Sequence, residues 1–108
     1  MHKPASRRAK VYVNESFAGH LIEVEPHRKY EFRYAEDYQG PAVSLTMPIT
    51  ERVYQFDRFP SYFEGVLPEG MMLEGLLRKR KLNPDDLFEQ LLCVGEHLVG
   101  YVTVKRDL

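Results

Sequence analysis

The sequence has 108 residues, 44% apolar and 29% charged, which is typical of one globular domain with a modest core. Its net charge of −1 argues against a nucleic-acid arm or a membrane-surface domain as the main role. A single cysteine excludes an intramolecular disulfide, and no apolar run resembles a secretory signal or a membrane span, so we expect a cytoplasmic protein.

The chain opens with a segment that lacks periodicity. Residues 1–8 are expected to form a flexible tail, and residues 9–108 to form a single domain. Val11 and Val13 then alternate with polar neighbours, which predicts a β-strand. Residues 14–16 have turn chemistry, so a second strand is predicted to follow directly.

Two further strands are predicted before the middle of the chain. The stretch "KYEFRYA" places Tyr30, Phe32 and Tyr34 on one face, the pattern of a half-buried strand. The stretch "AVSLTMPI", residues 42–49, is predicted as another short strand that ends at Pro48.

The apolar spacing becomes helical near residue 57. Phe59, Phe63 and Leu67 form one stripe, which predicts a short helix with a buried face. Pro68 is predicted to end this helix, because the residue before a proline disfavours helical backbone.

A second helix is predicted to start at Pro68 and Glu69. Its apolar face is expected to consist of Met72, Leu73, Leu76 and Leu77. A basic run follows at its carboxyl end, where cations complement the helix dipole: Arg78, Lys79, Arg80 and Lys81.

A third helix is predicted from Asn83, a good N-cap residue, to a stop at Gly95. A last strand contains Val102 and Val104 and is expected to pair with an early strand. The order of elements predicts an α+β fold, with a small, mostly antiparallel sheet of about five to six strands and about three short helices packed on one side.

The sequence shows no motif for catalysis. Gly65, Gly70 and Gly75 have the spacing of a phosphate-binding loop, but the Lys-Ser/Thr pair that would follow is absent. The histidines are scattered, and none has a metal-ligand spacing to Cys93, which is expected to be buried and inert. We predict no catalytic residue, no metal site and no cofactor.

The run Arg78–Lys81 has two interpretations. It forms a possible basic contact patch for nucleic-acid phosphates. It also completes a helix end, and a solvated helix face is the simpler interpretation.

Five stretches in order resemble the N-terminal subdomain of HipA-type serine/threonine kinases: "VYVNESFAGHL", "YEFRYAEDY", "AVSLTMPI", "YFEGVLPEG" and "DLFEQLLCVGEHLVGYVTV". That subdomain contains Phe-x-Tyr, then Ser-Leu-x-x-Pro, then an aromatic helix ending in Leu-Leu-Pro-Glu/Asp, then Asp-x-Phe-x-Leu-Leu. The resemblance covers residues 9–105, with one departure at Val99-Gly100-Tyr101, where the family has Val-Gly-Ala.

The resemblance implies a partner. If the sequence is complete, it is similar to the HipS-type antitoxins of HipBST toxin–antitoxin systems. Such an antitoxin is implied to bind and inhibit a HipT-like serine/threonine kinase, and to reach a DNA-bound, HipB-like helix-turn-helix protein only through the complex. Two alternatives stay open: a fragment of a full-length kinase, and an accessory subunit in assembly of the DNA-bound HipB repressor complex. No direct nucleic-acid contact and no membrane contact are expected.

The segment "FPSYFEGVLPEG" is predicted as the kinase interface, since a detached subdomain keeps an apolar docking face. The interface candidates are Tyr62, Phe63, Glu64, Leu67 and Glu69. Tyr62 and Phe63 are adjacent on a helix and cannot both face one core. Phe63 is expected to be the core residue and Tyr62 the exposed ring, with an arrangement in which both cover the sheet left open.

Overall fold

The structure is a computed structural model that describes residues 7–98 and 101–107. Within these ranges the strands are β1 Arg7–Val13, β2 Ser16–Glu25, β3 Lys29–Tyr34, β4 Val53–Phe56 and β5 Val102–Arg106. The helices are α1 Ser61–Gly65, α2 Gly70–Arg80 and α3 Leu87–Val94, followed by a 3-10 turn at Gly95–His97. All strand pairs are antiparallel, in the order β4-β3-β2-β1-β5. The predicted α+β fold is confirmed, and β5 pairs with β1 as expected.

The first hairpin begins earlier than the sequence analysis proposed. β1 includes Arg7, whereas the tail was predicted to extend to residue 8; residues 1–6 lie outside the described ranges. The predicted turn is confirmed: Asn14 and Glu15 have φ values of 49° and 69°. Two consecutive residues with positive φ are the mark of a tight hairpin turn whose twist matches the strands.

Arg7 joins the strand because its side chain connects the sheet to α3. Its guanidinium donates two hydrogen bonds of 2.7 Å to Glu23 on β2 and two of 2.9 Å to Asp86. These bonds raise the pKa of Arg7 further above its ordinary value. Burial alone raises the pKa of Asp86, but hydrogen bonds from Arg7 and the Glu89 amide lower it by more, so the net pKa lies below its ordinary value.

Residues 42–49 form an irregular loop, so the strand predicted there is wrong. The Tyr34 hydroxyl accepts a hydrogen bond of 2.9 Å from the Val43 amide and donates to the Met47 carbonyl. A side chain of β3 therefore holds this loop in place of a backbone ladder. The edge strand lies further along the chain at Val53–Phe56, which the sequence analysis missed.

α3 starts later than predicted. Its N-cap is Asp86, whose carboxylate accepts a hydrogen bond of 3.2 Å from the Glu89 amide. Asn83, the predicted cap, instead closes the preceding turn, because its Oδ1 accepts from the Asp85 amide at 2.8 Å. Two capping residues in succession made the boundary ambiguous in the sequence.

The end of α3 lies against the sheet. The predicted stop at Gly95 is confirmed, and this glycine is buried so close to β5 that a Cβ would collide with the Val104 carbonyl. Val99 and Gly100, the first two residues of the departing family motif, lie outside the described residues.

The core lies between one face of the sheet and the helices α1 and α3. The alternation predicted for β3 is confirmed, since Tyr30, Phe32 and Tyr34 are all buried. Fully buried side chains come from both layers: Val11, Leu21, Phe32, Phe63, Phe88, Leu91 and Val104. α2 contributes no buried residue, which makes it the exception among the described helices.

Candidate functional site

The segment 59–70 forms α1 and the bend into α2. The predicted stripe is confirmed, because Phe59, Phe63 and Leu67 are all buried. The Phe63 ring packs on Phe32 of the sheet with the ring centroids 6.1 Å apart. α1 ends at Gly65, ahead of the proline that was predicted to stop it.

Phe63 lies in the core, and Tyr62, expected to be the exposed ring, is only partly exposed and packs against that core. Phe63 is fully buried, so it cannot touch a partner and instead supports the site from below. Tyr62 is half-buried and stands edge-on to Phe63 with the ring centroids 5.1 Å apart. Burial raises the pKa of the Tyr62 phenol.

An apolar groove lies between the α1–α2 bend and the end of α3. Its volume is about 500 Å³, and its lining includes Val66, Leu67, Met72, Leu76, Val94 and Leu98. His97 stands beside them as the polar member of the lining. A groove of this composition suits an apolar side chain or helix face of another protein.

α2 does not bury the apolar face predicted for it. Leu73, Leu76 and Leu77 are only half-buried, and Met72 is 76% exposed. Met71, which precedes this face, is 87% exposed. A helix of 11 residues is marginal in water without packing. The apolar face of α2 is therefore the main apolar surface that the described residues leave without packing from the same chain.

The charged candidates lie in two separate places, around the α1–α2 bend and at the carboxyl end of α2. Glu64 and Glu69 are exposed around the α1–α2 bend, and Glu69 is the residue at the N-cap position of α2. The basic run Arg78–Lys81 is exposed at the other end, about 16 Å away along the helix axis. The structure therefore does not bring the acidic and the basic candidates together.

Leu45 is a surface residue that the sequence analysis missed. It is 98% exposed at the tip of the loop that was predicted as a strand. The turn is ordered, since Ser44 Oγ accepts from the Thr46 amide at 3.2 Å and the Ser44 carbonyl accepts from the Met47 amide at 3.0 Å. A cleft of about 250 Å³ separates this loop from Tyr62. A leucine at an alternating position carries no signal in the sequence that distinguishes a core side chain from a protruding one.

Together these features define the docking face: Leu45, Tyr62, the apolar groove and Met72. α1 connects them, because Tyr62 borders the cleft and Val66 borders the groove. The face combines one protruding apolar side chain, one half-buried ring and one recess. Exposed apolar side chains beside a recess are typical of surfaces that contact other macromolecules.

The described residues contain no group of three or more side chains that could hold a metal ion, and none of the described helices could cross a membrane. Cys93 is half-buried on α3, less enclosed than the sequence analysis expected. The docking face itself carries no nucleophile paired with a base.

A sequence profile and a solved structure both point to one family. The sequence profile described as the HipA N-terminal domain matches residues 9–105. An uncharacterised protein of Haemophilus influenzae is 33% identical over 101 residues, which cover 94% of this chain and 93% of that protein. A solved structure of the N-terminal domain of HipA toxin superposes with a TM-score of 0.75 at 29% identity, and the match covers 99% of this chain and 98% of that structure.

Proposed function

The chain belongs to the HipA N-terminal domain family, and from this we propose that it is a non-catalytic antitoxin that binds and inhibits a HipT-like serine/threonine kinase. The match is to the N-terminal domain of a HipA toxin and not to a kinase catalytic domain. The domain is similar to part of a toxin, and its own surface supports a role in binding.

The uncovered apolar face of α2 carries this proposal. Met72 is 76% exposed beside a groove of about 500 Å³, and α2 has no buried residue. Covering this face with a partner would remove apolar area from water and stabilise a helix that is marginal alone. The kinase supplies that cover, with Tyr62 and Met72 at the centre of the contact and Glu64 and Glu69 at its rim. The buried Leu67 forms part of the groove wall beneath this contact.

Co-expression with a HipT-like kinase from the same genome tests the proposal. The protein should relieve growth arrest by the kinase and co-purify with it, and Met72→Glu should abolish both effects. Val24→Glu is the matched control, because Val24 is another exposed apolar residue, on β2 outside the docking face. Circular dichroism should show that both variants keep the fold. A kinase that stays equally toxic and never co-purifies would sink the proposal.

The HipB-like protein enters this proposal as an indirect partner. We expect a HipB-like helix-turn-helix protein to co-elute with this chain only when the kinase is present. Direct binding of the two without the kinase would support the accessory-subunit alternative.

A second candidate is that the domain covers a kinase core within one longer polypeptide. Its similarity to the N-terminal domain of HipA toxin favours this arrangement. The 93% coverage of the Haemophilus relative favours a small separate protein instead, since the domain makes up nearly all of that relative. Inhibition of the kinase by the added, purified chain distinguishes these two arrangements. Only an antitoxin that acts as its own protein should inhibit at concentrations near the kinase concentration.

A further inference from the structure

The sheet face opposite the helices carries a row of basic side chains across four strands. Lys105 on β5 stands opposite Lys10 on β1, Lys10 opposite His20 on β2, and His20 opposite Arg33 on β3. Like charges directly opposite one another destabilise a sheet. Lys10 and Lys105 are such a pair, whereas burial lowers the pKa of His20, so the positive charge of the row at neutral pH comes from Lys10, Lys105 and Arg33.

The acidic groups of this face lie beneath the basic ones. The Asp107 carboxylate lies 3.4 Å from the Arg8 guanidinium, 3.9 Å from the Lys10 ammonium and 3.2 Å from the His20 ring. The Glu31 carboxylate accepts a hydrogen bond of 2.9 Å from Arg33. The Asp107 and Glu31 side chains are only 18% and 14% exposed. Those of Arg8, Lys10 and Arg33 are 49%, 43% and 54% exposed. The solvent-facing charge is therefore positive here, although the chain as a whole has a net charge of −1.

Aromatic rings adjoin the basic row on the same face. The Phe17 ring stands edge-on to Tyr12 and to His20, at centroid distances of 5.8 and 5.1 Å. Lys105 Nζ lies 5.4 Å from the centre of the Tyr12 ring. Phe17 is exposed, while Glu15 and Glu96 border the Tyr12 end of the face and limit its basic area.

We propose that this sheet face binds single-stranded nucleic acid, with phosphates along the Lys105–Lys10–Arg33 row and bases stacked on Phe17 and Tyr12. Cations that follow a backbone, next to rings on which bases stack, are the two elements of single-strand recognition. An acidic peptide would use the cations alone and leave the rings without a function. The face lies opposite the helices, so a kinase on the docking face would leave it open, and the proposal stands independently of the kinase.

Fluorescence anisotropy of a labelled single strand of about 15 nucleotides, titrated with the purified protein, tests this proposal. Binding should be measurable at about 50 mM salt and should weaken steeply by about 200 mM. Phe17→Ala should weaken binding about 5- to 150-fold through lost stacking. Phe17→Leu should do nearly the same while preserving apolar packing, which separates stacking from misfolding.

The second basic cluster of the chain provides the matched control. Lys10→Glu should abolish binding, whereas Lys79→Glu on α2 makes the same charge change away from the sheet face and should leave affinity unchanged. An equal loss in both variants would show a non-specific charge effect and overturn the proposal. So would the absence of binding at low salt, or insensitivity to both Phe17 variants. Displacement of the strand by poly-glutamate at equal charge concentration would indicate an acidic protein partner and would also overturn it.

Discussion

α2 and α3 both have apolar residues at helical spacing, but α3 is the more apolar helix, with six apolar residues of eight against five of eleven in α2, and only α3 packs into the core. α3 is capped by Asp86, tied to the sheet through Arg7 and seated on β5 at Gly95. α2 has none of these anchors, and residues with positive φ lie at its two ends, Gly70 at 58° and Lys81 at 56°. An apolar stripe therefore identifies a helix face that another element must pack against. The contacts at the ends of the helix decide whether that element belongs to the same chain.

Truncating one side chain in each helix should give the largest difference in unfolding free energy between the two helices. Phe88→Ala removes a fully buried ring on α3 and should cost about 3–5 kcal/mol of unfolding free energy. Met72→Ala on α2 should change it by less than about 0.5 kcal/mol, because that side chain is already exposed. Urea unfolding followed by circular dichroism measures both. Similar losses would mean that α2 buries its stripe within the isolated domain.

Removing the Arg7 side chain should have the next largest effect on the unfolding free energy. Arg7→Ala leaves the Glu23 carboxylate, which is 4% exposed, without its charged partner. We expect a loss of about 2–3 kcal/mol. Arg33→Ala removes a surface pair with Glu31 and should cost less than about 1 kcal/mol. Equal losses in the two variants would show that the anchor contributes no more than a surface ion pair.

Substituting one glycine in or beside each helix compares the two helices through smaller changes in stability. Gly95→Ala would push a Cβ into the Val104 carbonyl and should cost about 1–2 kcal/mol. Gly75→Ala on α2 meets open space and should stabilise the protein by up to about 1 kcal/mol, since alanine favours helix. Thermal unfolding should move in opposite directions for the two variants. Destabilisation by Gly75→Ala would indicate a neighbour packed on that side of α2.

The same contrast explains what the sequence could predict. Tyr30, Phe32 and Tyr34 have a period of two, and all three are buried, because the face of β3 that carries them is covered by the segment around α1. Phe63 was assigned to the core and Tyr62 to the surface for the same reason, since the stripe on α1 selects one ring. The local sequence pattern is sufficient to predict burial where the element that packs on the side chain lies nearby in the fold.

The errors occur where a distant group decides the structure. Residues 42–49 alternate as a strand does, but the hydroxyl of Tyr34 takes the backbone groups that a neighbouring strand would have paired. Leu45 consequently points into solvent. On α2, Met72 has the spacing of a core residue but no element of the chain covers it among the described residues. Neither outcome is encoded within a few residues of the position concerned.

The smallest predicted effect tests the cap that α3 has and α2 lacks. Because the pKa of folded Asp86 lies below its ordinary value of 3.8, its stabilising contribution is complete above pH 3.8 and is lost as the pH falls through that value toward the folded pKa. Asp86→Asn keeps a capping oxygen but removes the charge. The variant should be less stable than the wild type at neutral pH, and the difference should shrink below pH 3.8.

Arg7→Ala tests whether that pH dependence comes from the ion pair. Hydrogen bonding to Arg7 is the larger of the effects that lower the pKa of Asp86, ahead of the bond from the Glu89 amide. In an Arg7→Ala background, the Asp86→Asn change should therefore lose most of its effect at neutral pH. Urea unfolding across the acid range measures this double-mutant cycle. A full effect in that background would assign the stabilisation to the negative charge of Asp86 at the start of α3, and the contrast between α3 and α2 would then depend on that charge and not on the connection to the sheet.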